Sequence, residues 1–278
     1  MKKIAIVTGA NKGLGLSVAN ELVHNDYRVI LACRDKSKGQ RAAEFLGENA
    51  MFLELDLSKS KSINNFANEI SKSYNGVDVL YNNGGLIYQD FNLTDEGFES
   101  MIAVNYFGTY RLTLKLLDNL LENKGRIVQV SSLSMYLTRK IQLENLHKEE
   151  NFSSSTRYNL TNLYRSMFAC ELEKRTSNKV SIAIAHPGIT KSRQSRPYKV
   201  TKIRKSAFTY ISTNINTGTE PILKAINSKH TSAKKTYAPR VFGIYGKPTT
   251  QKLNKLVYRD DLRQKLWSYT AEELDLDL

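Results

Sequence analysis

Short apolar runs rich in β-branched residues alternate with helix-length stretches along most of this 278-residue chain, and that alternation limits the fold more than any other feature. "KIAIVT" (3–8), "YRVILAC" (27–33), "MFLEL" (51–55), "VDVLY" (77–81), "GRIVQVS" (125–131) and "KVSIAIA" (179–185) read as buried strands, and "KKTYAP" (234–239) as a last one. Between them the patterns predict helices over Leu16–His24, Ser37–Leu46, Ile63–Tyr74 and Asp95–Glu122, and another carrying Tyr158. Strands apolar along their whole length are buried on both faces, and β-α-β crossovers wind with one hand. The expected fold is therefore α/β, a doubly wound parallel sheet in three layers. Ligands of such sheets sit outside the carboxyl ends of the strands. No linker or composition break divides the chain, so a single domain over 1–278 is expected.

"TGANKGLG", Thr8 to Gly15, directly follows the first strand and opens the first helix. Gly9 permits a tight turn, Gly13 lets a pyrophosphate approach the backbone, and Gly15 brings helix close to strand. The helix N-terminus then offers N–H groups and a positive dipole to phosphates. This is the phosphate-binding turn of a Rossmann-type fold, and Asn11, Lys12 and Leu14 lie within it. At the end of the second strand an acidic residue would bond the ribose 2′-hydroxyl of NAD. "LACRD" puts Arg34 at that place and Asp35 one step later. With Lys12, two cations converge on the 2′ position, which favours a phosphate there and hence NADP(H).

Lys and Arg outnumber Asp and Glu by 41 to 27, a formal charge of +14, which favours anionic partners. Seven of the cations fall in "KSRQSRPYKVTKIRK" (191–205), with no acid among them. That run holds no recognition motif, and its one aromatic is Tyr198, so no nucleic acid is expected as a partner. The apolar run after the first lysines, Ile4 to Val7, is too short for a signal segment, and no stretch approaches a membrane span. Two cysteines, Cys33 and Cys170, suggest neither a disulfide framework nor a metal site, and no histidine has a partner at metal spacing. The expected location is cytoplasmic, without membrane insertion.

With these residues in hand the chain resembles the short-chain dehydrogenase/reductases, particularly the branch of retinol dehydrogenases and related carbonyl reductases. "TGANKGLG" looks like the family's glycine turn, and "LACRD" followed by "KGQ" like that branch's second strand. "LDL", with Asp56 and Leu57, matches the segment that contacts adenine. "NNGG" (82–85) is similar to the family's NNAG, placing Asn83 and Gly84 at the cofactor. "VNYFG" holds the proton-relay asparagine as Asn105, and "GRIVQVSS" ends in Ser132 at the catalytic serine. "HPGIT" supplies Pro187, Gly188 and Thr190, which would line the nicotinamide side. The 26-residue spacing from Ser132 to Tyr158 and the closing "RDDLRQKLWSYTAEEL" also resemble that branch. The resemblance implies an NADP(H)-dependent oxidoreductase, a substrate flap over about 189–233 and a C-terminal extension over about 242–278. It implies a small-molecule carbonyl or alcohol substrate and a monomer or homodimer. The cations of 191–205 would greet an anionic substrate or form a solvated loop.

The departure is Asn162. The family pattern is Tyr-x-x-x-Lys, and four residues after Tyr158 an amide stands in place of the lysine. By resemblance Tyr158 exchanges a proton with the substrate oxygen, Ser132 holds that oxygen, and the lysine would bond the nicotinamide ribose and favour the tyrosinate. A cation about 5 Å from a phenol, at an effective dielectric near 20, contributes roughly 3 kcal/mol, or about two pKa units. Asparagine supplies no net charge, though Arg157 or Arg165 could compensate. Alcohol oxidation needs the tyrosinate and should suffer most, whereas carbonyl reduction needs neutral tyrosine. The expected activity is reduction of a ketone or aldehyde. The competing expectation, which Asn162 favours, is a catalytically weakened dinucleotide-binding sensor or scaffold.

Overall fold

The computed structural model describes residues 2–177, 179–190 and 213–276. Strand β1 (Lys3–Thr8), helix α1 (Gly13–His24), β2 (Tyr27–Cys33), α2 (Lys36–Leu46), β3 (Ala50–Glu54), α3 (Ser60–Ser73) and β4 (Val79–Asn82) follow the expected alternation. After a loop come α4 (Ser100–Ile102), α5 (Gly108–Lys115), α6 (Leu117–Glu122) and β5 (Arg126–Val130). The long helix α7 (Ser154–Arg175) leads to β6 (Ser181–Ala185), and α8 (Ile215–Asn227), β7 (Lys235–Val241), β8 (Tyr245–Lys252) and α9 (Asp260–Glu273) complete the chain. The basic run 191–205, including Arg193 and Arg196, lies outside the described residues.

The strands form one sheet in the order β3-β2-β1-β4-β5-β6-β7-β8, parallel except for the last pair. The chain winds outward from β1 to β3, then returns to begin again at β4. The β1–β4 pair is therefore the point where the direction of winding reverses, and ligand crevices open there. Residues of β1 alternate between the two faces: Ala5 and Val7 pack under α1 with Val18, Leu22 and Ile222, while Ile6 packs with Phe66, Ile102 and Leu163 on the other side. Both faces are covered, which is why these strands carry almost no polar residue.

Helix α7 is buried over nearly all of Leu160 to Glu173, because α9 packs on the side that would otherwise face water. Tyr110 and Phe168 hold Trp267 of α9 at ring separations of 5.1 and 5.8 Å, and Arg175 lies 4.3 Å over its ring. Two sequence expectations are corrected. The single helix over 95–122 begins at Ser100 and is broken by a π-helical turn over Ala103–Phe107. Glu99, wholly buried, caps its start by accepting from the amides of Met101 and Ile102 at 3.0 Å each. The hairpin β7–β8 was also not expected, since "YGKPTTQK" carries little apolar patterning; it pairs as an exposed edge strand.

Candidate active site

The carboxyl ends of β1 and β4 are tied together by Thr8. Its Oγ1 accepts from the amides of Asn83 (2.9 Å) and Gly84 (2.7 Å), and the Asn83 amide group donates to Thr8 O at 2.9 Å. Gly9 turns the chain with φ +65°, a backbone region that favours glycine, and a Cβ there would lie 3.1 Å from Gly84 Cα. At Gly15 a Cβ would come within 2.5 Å of Gly9 O, so α1 can begin this close to β1 only with glycine. No side chain caps α1 and no acid lies in its first turn, whereas Asp35 caps α2 and Asn214 caps α8. The open helix end and the backbone-lined turn, with Asn11 and Leu14 beside it, fit an anionic pyrophosphate.

Around this turn the other sequence-chosen residues assemble. Arg34 is largely exposed at the end of β2, its Nε 4.0 Å from Asp56, and Lys12 is exposed at the α1 N-cap. Asp35 is already engaged: its carboxylate accepts from the Lys38 amide at 2.9 Å and pairs with the Lys38 ammonium. Asp56 accepts from the Ser58 hydroxyl at 2.6 Å, and Leu57 reaches the place a Gly84 Cβ would occupy. Cys33 is a core thiol pushed up to about 11, chiefly by burial and then by Asp35.

Asn105 sits in the middle of the π-helical turn. Its side chain exchanges hydrogen bonds with Leu86, accepting from the amide at 2.8 Å and donating to the carbonyl at 2.9 Å. This pins the loop after β4. A single π turn is common at functional sites, because the extra residue re-aims side chains without ending the helix. Tyr158, in the second turn of α7, lines a cavity of about 400 Å³ with Ile87, Gln89, Ser154, Ser155 and Asn159. Asn162 turns away: its amide donates to the Tyr158 carbonyl at 2.8 Å and to Ser134 Oγ at 3.4 Å. Ser132 lies after β5, where its Oγ accepts from the Ser134 amide at 3.3 Å. After β6, Pro187, Gly188 and Thr190 pack against the start of α8, where a Gly218 Cβ would meet the Thr190 methyl at 2.3 Å.

The model of the short chain dehydrogenase family matches residues 3–201. Retinol dehydrogenase 11 of Mus musculus is 38% identical over 201 residues, covering 70% of this chain and 63% of the mouse protein. The chain belongs to the short-chain dehydrogenase family. The match thus spans less than two thirds of that relative's length. An uncharacterised protein from Mycobacterium paratuberculosis has a similar structure, with a TM-score of 0.80 and 29% identity over 100% of this chain and 94% of its own. The actinorhodin polyketide ketoreductase solved with NADPH has a TM-score of 0.68 at 19% identity, covering 84% of this chain and 94% of its own, a likeness of fold.

Three residues of this short-chain dehydrogenase were missed by motif reading. Thr8 had a signal, a hydroxyl at the last position of β1, but its contacts span 75 residues of sequence. Arg165 was noted only as a neighbouring cation, yet it is buried and bonded within the site. His186 is 1% exposed, and its Nδ1 accepts from the Gly188 amide at 3.1 Å, fixing the Pro187–Gly188 turn. Burial pulls its pKa down to about 4, so the imidazole is neutral in the fold and its proton resides on Nε2.

The unfolded chain, with histidine near 6.5, binds that proton first as pH falls. His186 therefore withdraws stability as pH drops from about 6.5 towards about 4, with the full contribution present above that window. Urea titrations at pH 7 and 4.5 should show the wild type losing about 2 kcal/mol more than His186→Gln over that interval. Equal losses would mean that His186 is not held neutral.

Proposed function

We propose that this protein is an NADPH-dependent reductase of a ketone or aldehyde. What carries the reading is that Tyr158 faces a cavity of about 400 Å³ at the same end of the sheet as the uncapped glycine turn. Gly9, Gly13 and Gly15 with the first α1 amides would take the pyrophosphate, Asp56 and Leu57 the adenine, and Asn83, Gly84, Pro187, Gly188 and Thr190 the nicotinamide half. A bound dinucleotide supplies the hydride to the carbonyl carbon. Ser132 donates a hydrogen bond to the carbonyl oxygen, and Tyr158 transfers its phenolic proton there, completing the alcohol. A phenol with an ordinary pKa near 10 is protonated at pH 7, which suits the reductive direction. NADPH in the ketoreductase of the same fold supports the cofactor choice, as do Arg34 and Lys12.

Two free, buried cysteines suit a reducing compartment such as the cytoplasm. No described helix is long and apolar enough to cross a membrane. One observation favours the competing reading of a dinucleotide-binding sensor or scaffold: the Asn162 amide is committed to its own helix.

Calorimetry with NADPH and NADH, joined to a panel of carbonyl substrates followed by cofactor absorbance, separates the two. Binding and turnover are expected. Tight binding with no turnover on any substrate would favour the sensor. In the same assay Arg34→Ala should weaken NADPH about tenfold, losing one charge-assisted contact, and leave NADH nearly unchanged. Equal effects on both cofactors would remove Arg34 from 2′-phosphate recognition.

A further inference from the structure

Arg165 is 4% exposed and carries its charge in the floor of the site. Among the described residues no carboxylate pairs with it. Its Nε donates to the Asn105 carbonyl and one terminal nitrogen to the Gly84 carbonyl, with Thr109 Oγ1 at 3.5 Å. A Cβ on Gly85 would fall 3.4 and 3.5 Å from the two terminal nitrogens, so the guanidinium lies directly beneath the loop that ends β4. Burying a guanidinium without a counter-ion is costly, and backbone carbonyls satisfy its hydrogen bonds without neutralising it. Burial pulls its pKa down to about 10, while the phenols of Tyr158 and Tyr81 push the other way, so it remains charged at neutral pH.

Arg165 follows Tyr158 by seven residues, two turns of α7, which places both on one side of the helix. Two phenols feel its charge. Tyr81 is fully buried, and burial drives its pKa far up, so it does not ionise. Tyr158 opens on the cavity. The other charged pair near this end of α7 is Glu99 with Arg157, 3.5 Å apart and mutually compensating.

We propose that Arg165, held by the carbonyls of Asn105 and Gly84, supplies to Tyr158 the positive charge that Asn162 does not. It acts on the phenol and touches no substrate. Two turns along the helix replace one, and a cation clamped to backbone replaces a flexible ammonium. The charge stabilises the tyrosinate left after proton transfer while leaving the phenol mostly protonated at pH 7. The inference rests on the reductase reading for its catalytic meaning, but its test does not depend on turnover.

Protein labelled with ¹³Cζ-tyrosine, with Tyr158 assigned through Tyr158→Phe, is titrated with and without NADP+. Arg165→Gln is expected to raise the Tyr158 midpoint by about one to two units, ten- to a hundredfold in tyrosinate at fixed pH. Arg165→Lys should restore most of it. An unmoved midpoint in an Arg165→Gln protein that is folded and binds NADPH would overturn the proposal. If that variant does not fold, the unmutated protein decides: Tyr158 must titrate below exposed Tyr88 and Tyr245, and a midpoint at or above theirs overturns it. A midpoint shift without turnover on any carbonyl would retain the charge assignment and remove the reductase.

Discussion

Tyr158→Phe is expected to lower carbonyl reduction by about 10²–10⁴-fold in kcat while leaving NADPH affinity within twofold, the range that a positioned general acid contributes. The phenyl ring keeps the packing of the second turn of α7, and no described residue bonds the Tyr158 hydroxyl, so stability should stay within roughly 0.5 kcal/mol. The change removes only a proton. It therefore separates chemistry from binding more cleanly than a substitution in the glycine turn, which would disturb both. Residual turnover within threefold of the wild type would show that another group protonates the substrate oxygen.

Gly108→Ala is a test in which two physical effects oppose each other. In an isolated helix, alanine in place of glycine stabilises by about 1 kcal/mol. Here α5 starts against the segment after β3, and a Cβ on Gly108 would lie 2.1 Å from Leu57 O and 2.8 Å from Leu57 Cβ. The first of these is a backbone atom, with no rotamer to swing away. Either α5 or the Leu57 segment must withdraw, and Tyr106 and Tyr110 on the same helical stretch sit in the aromatic core. We expect overpacking to win, with a loss of about 3 kcal/mol or more by urea titration. NADPH affinity should fall as well, since Leu57 also touches the place beside Gly84. An unchanged or raised midpoint would mean that the approach relaxes at little cost.

Much of this architecture was legible because local signals were strong. Continuous β-branched runs identified six of the eight strands as buried, and the glycine spacing in "TGANKGLG" located the turn that the folded chain closes against Asn83 and Gly84. "YGKPTTQK" failed as a strand signal, because an edge strand packed on one side needs few apolar residues. The break at Ala103–Phe107 was equally hidden: a π turn keeps helical periodicity almost intact, and only its hydrogen bonding differs. Gly108 stands inside "VNYFG", yet nothing in that motif announces that its neighbour is Leu57, fifty-one positions earlier.

The order of apolar runs and glycines by itself determined the winding of the sheet, the place of the nucleotide turn and the departure at Asn162, since each depends on residues close together in the chain. Tertiary structure alone decided where charge resides in the site. Arg165 looks like any helical arginine until α9 closes over α7 and the carbonyls of Asn105 and Gly84 meet its guanidinium. Burial depends on elements packed from distant parts of the chain, and it is burial that turns an ordinary cation into a strong local field.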